Sequence, residues 1–260
     1  MQLILVFFIV LFGSLMTFFS GFGLGTILLP VFLFFFPLKT AIFATALVHV
    51  SNSFFKFIFL KKHIHWSIFI LFGLPATLSA FFGSYLLTHL NDKQIFFQYS
   101  MFEKDFQVTT TTFIVSFLIM LFTLIELFAK NIQILKQNNI ILLIGGILSG
   151  FFGGLSGHQG ALRSLFLKKV DLSKEELVAT STVISMGIDL IRLTVYFVSF
   201  SFLKLWTTVN EPLLWTGVVA AFLGALIGNK ALKKVSLMFI HYFISILLLL
   251  FSILMMIGML

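Results

Sequence analysis

Long continuous apolar runs, each set off by short polar stretches, constrain this chain more than any other feature. They fall at 3–36, 40–60, 66–90, 109–129, 140–168, 174–200, 212–232 and 236–259. A backbone surrounded by hydrocarbon must pair its own N–H and C=O groups, which only helices and closed barrels achieve. Runs of about 20 residues fit helices across a ~30 Å core, and the alternation of a barrel strand is missing. Hydrophobic residues make up 60% of the chain and charged residues 10%, against about 25% charged in a soluble domain. Such a chain cannot cover its surface with polar groups, so its solvent is lipid. The expected fold is an all-α integral membrane protein of about eight hydrophobic helical segments.

Charge and cysteine count remove several functions. The net charge of +8 comes mostly from lysines between the apolar runs. Short loops that stay cytoplasmic collect such lysines, and without an aromatic-interleaved basic patch the excess does not imply nucleic acid. Zero cysteines exclude disulfides, iron–sulfur clusters, thiol catalysis and Cys-based zinc sites. His63 and His65 are two ligand types without a third, so no metal is assigned. No Walker phosphate loop is present, and no cofactor is implied. The N-terminus lacks the basic flank and cleavage site of a signal peptide and reads as a retained first helix.

Two of the runs are interrupted by glycine clusters, Ser20-Gly21-Phe22-Gly23-Leu24-Gly25 and Gly153-Gly154-Leu155-Ser156-Gly157-His158-Gln159-Gly160. Glycine in a helix interior costs about 1 kcal/mol relative to Ala, so both clusters are expected breaks. A shift of 135 positions places Gly25 on Gly160, Lys39 on Lys174, Ala44-Thr45 on Ala179-Thr180 and Val48 on Val183. The chain therefore divides into a first transmembrane repeat (1–130), a linker (131–139) and a second repeat (140–260). Each half begins with a broken or re-entrant helix. Paired interruptions in two halves point to a transporter's binding site.

With these motifs in order, the sequence resembles the sulfite exporter TauE/SafE family of membrane permeases over nearly its whole length. The marks are Gly21-Phe22-Gly23-Leu24-Gly25-Thr26-Ile27-Leu28-Leu29-Pro30 with Ala44-Thr45-Ala46 behind it. In the second half they are Gly157-His158-Gln159-Gly160-Ala161-Leu162-Arg163, Ala179-Thr180-Ser181 and Asp189-Leu190-Ile191-Arg192. Leu165 stands where the repeat would place a proline. The resemblance implies a secondary carrier for sulfite, an organosulfonate or a related sulfur oxyanion, in the bacterial plasma (inner) membrane.

The residues that suit anion chemistry cluster at the breaks. A half-helix N-terminus presents unpaired N–H groups and about half a positive charge, and glycines let the backbone approach an anion closely. Gly21, Gly23, Gly25, Gly157 and Gly160 are read this way. Gly224 and Gly228, at i and i+4 without a break, are read as close helix packing. Arg163 lies just past the second break and either faces the anion or snorkels to the interface. His158 and Gln159 sit within the break as further anion ligands. Asn52 is placed to hydrogen-bond substrate, and Lys56 either snorkels towards Lys61 and Lys62, the favoured reading, or lines the pore. Asp189 and Arg192, at i and i+3 in mid-segment, form either a structural ion pair or a coupling element for a proton or ion. The pairing of neighbours on one helix favours the structural role.

Loop lysines bear on topology. With the two broken segments re-entrant, Lys61, Lys62, Lys130, Lys136, Lys168, Lys169, Lys174, Lys230, Lys233 and Lys234 share one side, against Lys39, Lys93, Lys104 and Lys204. With all eight segments crossing, the division is more even. The positive-inside rule prefers the first arrangement, in which the halves are inverted. An intramembrane enzyme would need a nucleophile–base or metal constellation, and neither a His-Glu-x-x-His nor paired carboxylates is found. A noncatalytic assembly factor would leave the paired breaks unexplained.

Overall fold

The computed structural model describes residues 1–20, 23–91, 93–101, 103–128, 138–167, 170–199, 211–231 and 237–259. Gly21, Lys168, Lys169 and positions 131–137 of the linker lie outside them. Among the described residues each apolar run is mainly helical. The first forms α1 (Gln2–Ser20) and α2 (Leu24–Leu33), and the next four supply α3 (Leu38–Leu60), α4 (Trp66–His89), α5 (Thr110–Phe128) and then α6 (Asn139–Ser156) with α7 (Gln159–Leu167). The last three runs give α8 (Lys174–Ser199), α9 (Glu211–Ala231) and α10 (Leu237–Met256). Six of these, α3, α4, α5, α6, α8 and α9, are long and apolar enough to cross a membrane, while α2 and α7 are short pieces beyond the breaks.

Local chemistry sets several boundaries. Asn138 caps α6 by accepting from the Ile141 N–H at 2.8 Å. Ser173 and Glu176 form a reciprocal capping box on α8: the Ser173 N–H donates to Glu176 Oε2 at 2.9 Å, and the Glu176 N–H donates to Ser173 Oγ at 3.2 Å. In α4 the stretch Phe69–Gly73 widens into a π turn just before Pro75, which has no N–H and crowds the preceding turn.

Both broken segments double back. A Cβ on Gly13 would stand 3.2 Å from the Leu24 side chain and 3.5 Å from Ile27, so α2 lies against α1. A Cβ on Gly145 would stand 2.5 Å from the Phe166 ring, so the end of α7 has returned to the early part of α6. A straight helix at 1.5 Å per residue would hold Gly145 about 32 Å from Phe166, and Gly13 about 21 Å from Ile27. The expected re-entrant geometry is therefore present at both breaks.

Small residues then lock long helices together. A Cβ on Gly146, Gly150 or Gly154 would meet the carbonyl oxygens of Phe72, Ala76 and Ala80 at 2.3, 1.9 and 2.3 Å, so α6 and α4 run parallel in backbone contact. The same relation holds α1 to α9: Cβ atoms on Gly224 and Gly228 would meet Leu11 O at 2.5 Å and Phe18 Cβ at 2.7 Å. Ser14 Oγ also stands 2.8 Å from the Ala221 carbonyl oxygen. The helix that opens the chain thus packs on α9, and the helix that follows the linker packs on α4. Between these pairs α3 crosses α8, and α5 packs on α10.

The two ends of the bundle differ. At one, Lys39 Nζ donates to Leu90 O at 2.8 Å, and Pro37, Leu38, Thr112 and Met255 share a cleft. At the other, Ser173 and Glu176 share a cleft with Lys62, His63, His65 and Trp66. These are opposite ends of α4, whose 24 residues span about 36 Å. The polar stretch after α4 is a β-hairpin rather than a plain loop. Strands Ile95–Met101 and Lys104–Thr109 pair antiparallel, with Tyr99 opposite Phe106, and the Tyr99 hydroxyl donates to Ile257 O at 2.6 Å. Its aromatic and β-branched residues suit a strand.

Candidate functional site

The breaks themselves require glycine at two points. Gly23, the N-cap of α2, has φ 106°, and Gly157, which closes α6, has φ 81°. Both values lie in the left-handed region where a Cβ is strained. The Gly157 N–H donates to Gly153 O at 2.8 Å, and the chain restarts as α7 at Gln159. The two breaks face each other: a Cβ on Gly25 would lie 3.5 Å from the His49 ring and 3.6 Å from Gly157 O. Those are ordinary contact distances, so packing alone does not demand glycine at position 25. The packing glycines of α6 and α9 are different, because a Cβ there would collide. Gly160 is buried in the first turn of α7.

Around this meeting point lies a buried polar network. Asp189 and Arg192 pair as their spacing allows, Arg192 Nη1 donating to Asp189 Oδ1 at 2.9 Å. The same oxygen accepts from Gln159 Nε2 at 3.3 Å. The other carboxylate oxygen lies 2.5 Å from His49 Nδ1, so Asp189 bridges α8 to α3. Arg163 is buried, donating from Nη1 to Ser185 Oγ at 2.5 Å, with Gln159 Oε1 at 3.5 Å. Arg192 Nε lies 3.5 Å from the Tyr196 hydroxyl, which donates to Gly154 O at 3.1 Å. Arg192 Nη2 and both ring nitrogens of His158 are buried without a hydrogen-bond partner among the described residues. A Cβ on Gly157 would stand 3.1 Å from that same Nη2. Donor capacity is therefore left open beside the break.

The chain contains only two arginines, and both are in this network. A guanidinium presents a planar fork of N–H donors that matches an oxyanion and keeps its charge at any physiological pH. Among the described residues the buried charged side chains are Lys56, Arg163 and Arg192 against Asp189. Histidines aside, these described side chains sum to an excess of two positive charges.

The expected site residues separate into groups. Gly25, Gly157, His158, Gln159, Arg163, Asp189 and Arg192 share the centre, and Gly23 and Gly160 flank it. Asn52 is buried one turn along α3 from His49, and its Oδ1 accepts from Ser14 Oγ at 2.6 Å. Lys56 does not snorkel: it is 5% exposed, and its Nζ donates to Thr17 Oγ1 at 3.3 Å. The stem folds inward because the α1 hydroxyls line that face of α3. The pair at 189 and 192 is also not self-sufficient, since His49 on a second helix takes one carboxylate oxygen. His49, Ser185 and Tyr196 were not singled out from sequence. The signal for His49 was a polar stripe at helical spacing (His49, Asn52, Ser53, Lys56) in an otherwise apolar run. His63 and His65 lie at the outer cleft with Glu176, away from the centre.

The sulfite exporter TauE/SafE family matches residues 6–255, a span that takes in both breaks, the whole network and nearly all of α1 and α10. The chain belongs to that family. TauE/SafE proteins are membrane transporters, so this is a multi-pass permease rather than an enzyme. No curated protein and no solved structure matches the chain. Within a TauE/SafE transporter, the two facing breaks and their arginines form the candidate substrate site.

Proposed function

We propose that this TauE/SafE protein is a secondary carrier for a small sulfur oxyanion, sulfite or an organosulfonate, in the bacterial inner membrane. One observation carries the reading: the chain's only arginines are both buried where the break at Gly23–Gly25 meets the break at Gly157–Gly160. Two helix N-termini and guanidinium and imidazole groups with unused donors meet there around Gly25 and Gly157, which carry no side chains of their own. A helical bundle, unlike a β-barrel, suits the inner membrane. The contacts of the protein are then the bilayer, the anion and a coupling proton or ion.

The proposed topology is inverted. Each half enters from its own end, turns back at its break and then crosses three times. Lys39 and Lys174 at opposite ends of α4 support this. Reconstitution tests the function directly. Proteoliposomes holding the wild-type chain should take up or release sulfite well above empty liposomes, and Arg192→Gln should abolish most of that flux. Absence of any sulfite-dependent flux, or of sulfite-induced thermal stabilisation, would remove the oxyanion reading.

The His49 contact favours Asp189 as the proton-coupling group over a purely structural pair. Its carboxylate ties α3 to α8, so protonation would loosen the crossing of these helices. Asp189→Asn, a fixed mimic of the protonated state, should then bind and exchange sulfite but lose accumulation driven by a pH gradient. Loss of binding and exchange as well would return the pair to a structural role.

A further inference from the structure

Lys56 is the third buried cation, two turns along α3 from His49 towards the end that carries Lys61 and Lys62. Its ammonium donates to Thr17 Oγ1 at 3.3 Å and lies 5.5 Å from the centroid of the Phe18 ring. Among the described residues no carboxylate pairs with it. A hydroxyl and a ring face are weak compensation for an ammonium withdrawn from water. A lysine that merely snorkels keeps its head wet, and this one is 5% exposed.

The polar groups around it continue along the helix. His49, Asn52 and Lys56 follow one another at helical spacing on one buried stripe of α3. Ser14 and Thr17 of α1 line the same stripe through their bonds to Asn52 and Lys56. An anion held beside Lys56 would satisfy the ammonium. Passage needs stations that bind well enough to admit the ion and loosely enough to release it. A compact, rotatable ammonium holds an oxyanion less rigidly than a planar guanidinium fork.

We propose that Lys56 is a second, transient station for the anion, between the paired breaks and the Lys61–Lys62 end. This rests on the oxyanion reading above. The test compares Lys56→Met, which keeps length and removes charge, with wild type in the same proteoliposomes. Lys56→Met should still be stabilised by sulfite, because the central arginines remain, yet lose roughly tenfold or more in flux, the scale of one charged hydrogen bond. Lys56→Arg should recover part of it. Wild-type flux and KM in Lys56→Met would overturn the inference while leaving the central site standing. A second measurement needs no variant. Crystals of the wild-type protein soaked in selenite, an anomalous scatterer of sulfite's shape, should show a peak within hydrogen-bond reach of Lys56 Nζ besides one at the breaks. A saturated peak at the breaks alone would reject the second station, and no peak at either place would count against the oxyanion reading itself.

Discussion

At the residue scale, the permanent charges at the centre are held by partners that differ in kind. Arg163 is fixed by Ser185, so its loss should leave the fold largely intact and weaken the site. Arg163→Gln should lower sulfite affinity about 10- to 150-fold, the equivalent of ~1.5–3 kcal/mol for one charged hydrogen bond. Arg163→Lys should recover part of it. Titration of sulfite-dependent thermal stabilisation measures both, and wild-type affinity in the Gln variant would show the guanidinium to be structural. Asp189 has three donors around it, Arg192, His49 and Gln159. Removing its charge strands Arg192 among uncharged groups, whereas removing Arg192 leaves Asp189 with His49 and Gln159. Asp189→Asn should therefore cost more stability than Arg192→Gln, towards the ~3–5 kcal/mol of a broken buried pair. Equal losses in thermal unfolding would mean that His49 contributes nothing. The i, i+3 pair was legible in the sequence because both partners share a helix. The His49 bond was not, because its partners are 140 positions apart and only the crossing of α3 with α8 joins them.

At the scale of elements, glycine serves two purposes that the sequence alone does not separate. In α6, Gly150 has the Ala76 carbonyl oxygen 1.9 Å from where its Cβ would be, so Gly150→Ala must push two helices apart. Overpacking of this kind costs about 1–3 kcal/mol. Gly25 has room for a methyl group, and Gly25→Ala should melt close to wild type. The methyl would nevertheless project between His49 and Gly157 O, and sulfite flux should fall. A destabilised Gly25→Ala with normal flux would reassign that position to packing. The breaks were readable because glycine clusters interrupt otherwise continuous apolar runs. The doubling back was readable only through the uneven distribution of loop lysines, because the contacts that make it, such as Phe166 over Gly145, join residues far apart in the chain. The hairpin at 95–109 was hidden for another reason: its short aromatic strands lie among charged residues between two apolar runs.

For the whole molecule, the arrangement of ends makes topology testable. Cysteines introduced singly at positions 39 and 174 of this cysteine-free chain should react with an impermeant thiol reagent from opposite faces of the membrane. Reaction from the same face would rule out inverted halves. Lys61, Lys62 and Lys174 lie towards one end and Lys39 towards the other, so the residue-174 face should be cytoplasmic. The crossed packing also has a consequence for biosynthesis. Ser14 on α1 meets Ala221 on α9, 207 positions later. At a synthesis rate of 5–20 residues per second, roughly 10–40 s separate their emergence from the ribosome. During that interval α1 is in the bilayer without the long helix it finally packs on. Nascent chains must therefore be sheltered until the last helices arrive. A chain halted after position 130 should be cleared by membrane proteases within minutes in a pulse-chase, while the full-length chain persists.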